Sequence, residues 1–127
     1  MKLRTLMVSN AVLGLLFALG FLLAPERMLS AYGATGDAEL VQMARFFGSA
    51  MLGYALLTWL ARNVEEPMAR RAILVSLFLS FAIGFIVAVQ GQVSGVVNSL
   101  GWFTVGLYLF FVLGYGYFHF VKKGARS

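Results

Sequence analysis

The sequence predicts an all-α polytopic membrane protein, a bundle of four transmembrane helices joined by short connections. Its composition is 61% hydrophobic and only 12% charged, and its apolar residues fall into four long runs. Soluble domains are about one-quarter charged, and a domain of 127 residues has too little interior to hide so much apolar surface. Lipid must therefore solvate the chain, and we expect residues 1–127 to form a single integral membrane domain.

The first apolar run covers residues 6–24 and follows Lys2 and Arg4. It has the length that crosses a hydrocarbon core of roughly 30 Å. A cleaved signal peptide also begins with a basic segment and an apolar run. This run is long for a signal peptide, however, and Ser9 and Asn10 interrupt its start. We therefore expect a retained first helix.

A polar connection follows the first span. Pro25 suits the first position of a helix, and Gly33 suits a left-handed helix end. The segment between them is expected either to form a short helix lying in the membrane interface or to be an ordinary loop. Asp37 is the expected N-cap of the second span.

Three further spans are expected at residues 40–61, 70–89 and 97–121. Pro67 is placed to open the third span, because proline is favoured in the first helical turn. The uncharged segment at residues 90–95 contains two glycines and predicts the turn between the third and fourth spans.

The basic residues are distributed unequally between the two sides of the membrane. Four spans place both termini and the central connection on one side, and cytoplasmic loops carry the excess of Lys and Arg. The other side holds only Arg27, together with Arg45 if its side chain reaches outward, whereas the expected cytoplasmic residues are Lys2, Arg4, Arg62, Arg70, Arg71, Lys122, Lys123 and Arg126. We expect an inner-membrane protein whose net charge of +5 reflects topology and not nucleic-acid binding.

Arg45 lies inside the second span, about five residues or roughly 7 Å from its start. An arginine at the centre of a span costs about 2.5 to 3.5 kcal/mol, and less near an end. Its side chain either extends to the headgroups or faces the bundle and binds an anionic group. In the second case, a binding site at the outer side would consist of Glu39, Gln42, Arg45, Gln90 and Asn98.

Small residues recur at four-residue spacing in several spans. This spacing lets helix backbones approach closely in lipid, where no hydrophobic drive brings helices together. The residues expected to pack in this way are Gly14, Ala18, Gly48, Ser49, Gly53, Ser80, Gly84 and Ala88. The pattern leaves open whether each neighbouring helix belongs to this chain or to another protein.

The sequence shows no catalytic residue set. It has no cysteine, and its single histidine, His119, lies among aromatic residues where an interfacial belt is expected. No acidic residue falls inside an apolar run, which argues against proton-coupled transport. We expect neither enzymatic activity, nor a cofactor, nor a metal.

Two short segments suggest internal repetition. Residues 17–24 read FALGFLLA and residues 81–88 read FAIGFIVA. Both helical hairpins would have the same orientation, which defines a parallel repeat. Chance similarity is the alternative, because apolar helices use few residue types.

The segment PERMLSAYG after the first span and ARFFGSAMLG in the second resemble those of small bacterial DoxX-like membrane proteins. Neighbouring families of unknown function with the same size are similar too. The residues that carry the resemblance are Pro25, Arg27, Tyr32, Gly33, Arg45, Gly48 and Gly53. The resemblance implies a four-helix bundle and an accessory role beside redox or quinone-linked partners. A thiol-based role does not carry over, because the chain has no cysteine.

Three functions remain after these observations. The protein could be an accessory or assembly subunit that packs against a larger membrane complex. It could bind a lipid or quinone-like amphiphile through Arg45, or form a homo-oligomeric channel or transporter. We favour the first, because no polar path across the whole membrane is visible in the sequence.

Overall fold

Helices account for the architecture of residues 2–121, the part of the chain that this computed structural model describes. They are α1 (Leu3–Leu23), α2 (Pro25–Ala31), α3 (Ala38–Leu60), α4 (Pro67–Val93) and α5 (Gly101–Gly116), and a π-helical turn (Tyr117–Val121) extends α5. Four segments are long and apolar enough to cross a membrane, namely α1, α3, α4 and α5 together with the π-helical turn. The predicted all-α class with four spans is confirmed.

Side chains and special backbone positions set the helix boundaries much as the sequence predicts. The Asp37 carboxylate accepts a hydrogen bond from the Leu40 amide at 2.8 Å and caps α3. Pro25 and Pro67 open α2 and α4. Gly33 has φ of +84°, the left-handed conformation that follows many helix ends. These four predictions are confirmed.

The predicted turn at residues 90–95 is wrong in its position. α4 continues to Val93, and its 27 residues exceed the predicted third span. The chain turns at Gly95, which has φ of +76° and whose amide donates to the Gln92 carbonyl. Gly91 stays helical, since a single glycine weakens a helix without ending it. The fourth span accordingly starts at Gly101 and not at residue 97.

The chain divides into two compact units. Among the described residues, the N-terminal unit comprises residues 7–62, and the C-terminal unit comprises residues 63–121 together with residues 2–6. The first hairpin of the sequence thus falls mostly in one unit and the second in the other.

In the N-terminal unit, α1 and α3 run antiparallel with their backbones in close contact. A Cβ added to Gly14 would lie 3.4 Å from the Ala55 Cβ, and one added to Gly48 would lie 3.0 Å from the Phe21 Cβ. Between these two contacts on α1, Ala18 is fully buried. Small residues therefore allow the close approach of these two helices.

In the C-terminal unit, aromatic rings fill the space between the antiparallel helices α4 and α5. The Phe81 ring stacks on Phe111, with centroids 5.0 Å apart, and meets the Tyr108 ring edge to face at 5.5 Å. The Tyr108 ring also lies directly against Gly84, where a Cβ would collide with it. Tyr115 is fully buried beside this cluster.

The two segments that suggest a repeat have different surroundings. Gly20 faces the Met28 side chain of α2, whereas the corresponding Gly84 faces Tyr108 of α5. No helix comparable to α2 follows α4 within the described residues. The similarity between the segments therefore does not extend to the neighbours of their glycines, and a duplication remains a hypothesis.

Candidate functional site

One face of α3 brings polar and small residues together on the exterior of the chain. Gln42, Arg45, Ser49 and Gly53 are spaced by three or four residues, which places them on one side of a helix. All four are exposed. We call this surface the polar face of α3.

Arg45 is the charged residue of the polar face. It is the eighth residue of α3, so its Cα lies about 10 Å along the helix from Ala38. This is further from the helix start than the sequence predicts, because the Asp37 cap starts the helix two residues before Leu40. Arg45 is exposed, and no hydrogen bond or ion pair joins its guanidinium to another of residues 2–121. Within the described chain, Arg45 has no counter-ion.

Glu39 and Gln42 belong to the first turns of the same helix, and both are exposed. The Glu39 carboxylate lies in the first turn, where the positive end of the helix dipole favours it. Neither side chain bonds to Arg45 in the described part of the chain. Three of the predicted site residues thus share one helix without forming a network of their own.

Gln90 and Asn98 lie in the C-terminal unit, and both are exposed. Asn98 stabilises the connection between α4 and α5, since its Oδ1 atom accepts from the Leu100 amide at 3.0 Å. Its carbonyl oxygen accepts a hydrogen bond from Gln92 Nε2 at 3.1 Å. The five predicted residues are therefore divided between the two units, and a joint site remains a prediction.

Gln92 is a residue that the sequence-based set omits. Its side chain is held against Gly101, where any Cβ would collide with Oε1. The missing Cβ of Gly101 thus makes room for the amide that bridges the two ends of the loop. Gln92 lies near the end of one span and Gly101 lies at the start of the next. This position on either side of one loop is the feature of the sequence that could have identified their contact.

Two further polar contacts are structural. The Thr58 hydroxyl is fully buried in α3 and donates to the Tyr54 carbonyl at 2.9 Å. Arg62 places its guanidinium over the Trp59 ring at 4.1 Å and donates to the Trp59 carbonyl. The negative end of the α3 dipole stabilises a cation at this position. Across residues 2–121, no three His, Asp or Glu side chains are grouped as metal ligands.

A chain with four helices of this length and apolar character, and an exposed arginine on one of them, is by class a small polytopic membrane protein. It belongs to the family described as "Domain of unknown function (DUF8292)", whose family model matches residues 8–124. No curated protein and no solved structure gives a significant match. The resemblance to DoxX-like proteins remains a prediction.

Proposed function

We propose that the protein is a non-catalytic accessory or assembly subunit that packs against a larger membrane complex through the polar face of α3. The observation that carries the proposal is the open surface at Gly53. Apart from the backbone of α3 itself and the residues next to Gly53, no atom of the described chain lies within 4 Å of the position that a Cβ would occupy there. Gly14 and Gly48, by contrast, both have close neighbours within the N-terminal unit.

The chemistry of the polar face favours a transmembrane helix as the occupant. Ser49 and Gly53 have the small-xxx-small spacing that allows close approach of a second backbone. Arg45 lies on the same face and needs an anionic group, because a cation in a span is costly without a partner. A partner helix that carries an aspartate or glutamate at the depth of Arg45 meets both requirements.

Charge also favours a different protein over a second copy of this chain. In a symmetric dimer the same patch meets itself across the two-fold axis. For two copies with the same orientation in the membrane, this would bring both Arg45 guanidiniums to one interface. Like charges repel most strongly where the dielectric constant is low. The same argument weighs against a homo-oligomeric channel assembled through this face.

The proposal is tested by photocrosslinking in intact cells. A benzophenone amino acid replaces Phe46, which is exposed and lies beside the polar face. The matched control replaces Ile83 on α4, which is equally exposed within the described chain. We expect one membrane protein to crosslink from position 46 and not from position 83, through a helix that contains Asp or Glu.

Two substitutions test whether this crosslink depends on the polar face. Gly53→Leu fills the open surface and Arg45→Leu removes the charge, so each should reduce the crosslink at least about tenfold. Gly106→Leu places a side chain at an equally open glycine on α5, and it should leave the yield of the crosslink from position 46 unchanged. A crosslinked product that is a dimer of this chain, or one that persists in both α3 variants, would contradict the proposal.

The second candidate function is the binding of a lipid or quinone-like amphiphile. The same unpaired Arg45, beside the exposed Phe46 ring, favours it, because a guanidinium and an apolar surface suit an anionic head with an apolar body. Native mass spectrometry of gently extracted protein distinguishes the two. An amphiphile lost in the Arg45→Leu variant, with no crosslinked protein, would favour this candidate.

We also propose that both termini face the cytoplasm, on the strength of the basic-residue distribution. Replacing Arg62, Arg70 and Arg71 with glutamine removes much of the positive charge of the central connection. This should raise the fraction of inverted molecules, measured with reporter fusions at the C-terminus. Arg27→Gln and Arg45→Gln on the opposite side should have no such effect. An unchanged orientation in the triple variant would contradict the assignment.

A further inference from the structure

Three helix ends meet at one end of the C-terminal unit. The Leu6 side chain of α1 lies 2.7 Å from the position of a Cβ on Gly114 of α5. One turn beyond Gly114, in the π-helical turn that extends α5, the Phe118 carbonyl accepts a hydrogen bond from the Arg70 guanidinium of α4 at 3.5 Å. Lys2 precedes Leu6 by one turn, and residues 2–6 belong to this unit.

This end carries a concentration of positive charge. We call it the basic end and define it by Lys2, Arg4, Arg70 and Arg71. Lys2, Arg4 and Arg71 are exposed, and none of them forms an ion pair within residues 2–121.

Acidic residues offset this charge only in part. Glu65 and Glu66 are the carboxylates that precede α4, and Glu66 accepts hydrogen bonds from the Met68 and Ala69 amides. Glu66 is therefore occupied as a helix cap. Lys2, Arg4 and Arg71 therefore stay exposed and without an ion pair among the described residues.

Apolar side chains are exposed beside these cations. Met68 on α4 is 78% exposed, and Phe120 and Val121 in the π-helical turn are 60% and 69% exposed. A free inorganic anion would satisfy only the charges. A molecule with an anionic head and acyl chains would satisfy the cations and cover these side chains.

We propose that the basic end binds the headgroup of an anionic phospholipid. Basic residues at the ends of transmembrane helices attract such headgroups, and each strengthens binding about fivefold. Arg70 is held in place by its hydrogen bond to the Phe118 carbonyl, and the exposed cations Lys2, Arg4 and Arg71 are the groups that would contact the headgroup. This site does not depend on the partner helix proposed above, because it uses neither Arg45 nor Gly53.

The test is a titration of delipidated protein in detergent, followed by native mass spectrometry. The probes are palmitoyl-oleoyl phosphatidylglycerol, which is anionic, and the zwitterionic phosphatidylcholine with the same chains. We expect the wild-type protein to prefer phosphatidylglycerol. The Lys2→Gln and Arg4→Gln double variant should bind phosphatidylglycerol roughly thirtyfold more weakly, since two cations are lost. Arg70 is kept, because it also bonds to the end of α5.

The matched control is the Arg27→Gln and Arg62→Gln double variant, which loses the same number of charges from the N-terminal unit and leaves Arg45 in place. It should keep the wild-type preference for phosphatidylglycerol. Far-UV circular dichroism of both variants verifies that the helices are intact. Equal binding of the two lipids by the wild-type protein, or the same loss of preference in both double variants, would overturn the proposal.

Discussion

Gly48→Leu is expected to lower the free energy of unfolding by about 3 kcal/mol, because it forces α1 and α3 apart. A Cβ at position 48 would lie 3.1 Å from the Leu22 backbone nitrogen, in addition to its contact with Phe21. A backbone atom cannot move aside as a side chain can, and the further atoms of leucine would overlap α1. The measurement is an SDS titration of purified protein in mild detergent, monitored by far-UV circular dichroism.

Gly53→Leu on the same helix is the matched control. Its side chain would enter open space, so the free energy of unfolding of the isolated protein should change by less than about 0.5 kcal/mol. Equal destabilisation by the two substitutions would show that the contact between α1 and α3 is not the source of the effect. A stable Gly48→Leu variant would contradict the close approach of α1 and α3 at Gly48.

Gly84→Leu is expected to destabilise the C-terminal unit by about 2 kcal/mol. The neighbour here is the Tyr108 ring, which is held edge to face against Phe81. Because the obstructing atoms belong to a side chain, removing that side chain should relieve the collision. The Tyr108→Ala variant should therefore be destabilised on its own, while the double variant should be much less unstable than the sum of the two changes.

A double-mutant cycle by SDS titration measures this coupling, which we expect to be about 1 to 2 kcal/mol. Gly106→Leu on α5 is the control, because no other side chain or helix of the described residues comes within 4 Å of its Cβ position, its chain neighbours aside. Strictly additive effects of the Gly84 and Tyr108 changes would contradict the proposed origin of the instability. A Gly106→Leu variant as unstable as Gly84→Leu would also contradict the collision with Tyr108 as the origin of the instability.

The helices could be predicted from the sequence because each depends on local signals. Apolar runs of sufficient length define the spans, and Asp37, Pro25 and Pro67 mark helix starts through their own backbone chemistry. The end of α4 could not be predicted in the same way. The end of α4 depends on whether Gly91 or Gly95 takes a positive φ, and in the structure it is Gly95. The hydrogen bond from Gln92 to the Asn98 carbonyl stabilises the loop in this arrangement.

The candidate site was less predictable, because spacing along a helix does not reveal which face is covered. Gly48 and Gly53 have the same small-residue pattern, yet Gly48 packs against α1 and Gly53 faces outward. Only the three-dimensional arrangement distinguishes them. The same holds for Arg45, whose exposure depends on the rotation of α3 relative to α1.

The contact between Leu6 and Gly114 has a consequence for the order of synthesis. These residues lie almost the whole length of the described chain apart, so Leu6 is made long before its neighbour on α5 exists. Leu3 and Leu6 are both buried in the folded protein, and they therefore face lipid or the insertion machinery until α5 has been synthesised and inserted. Contacts of such high sequence separation form late and slowly. The first turns of α1 are thus made before the other helices of the described chain, yet they are among the last to complete their packing.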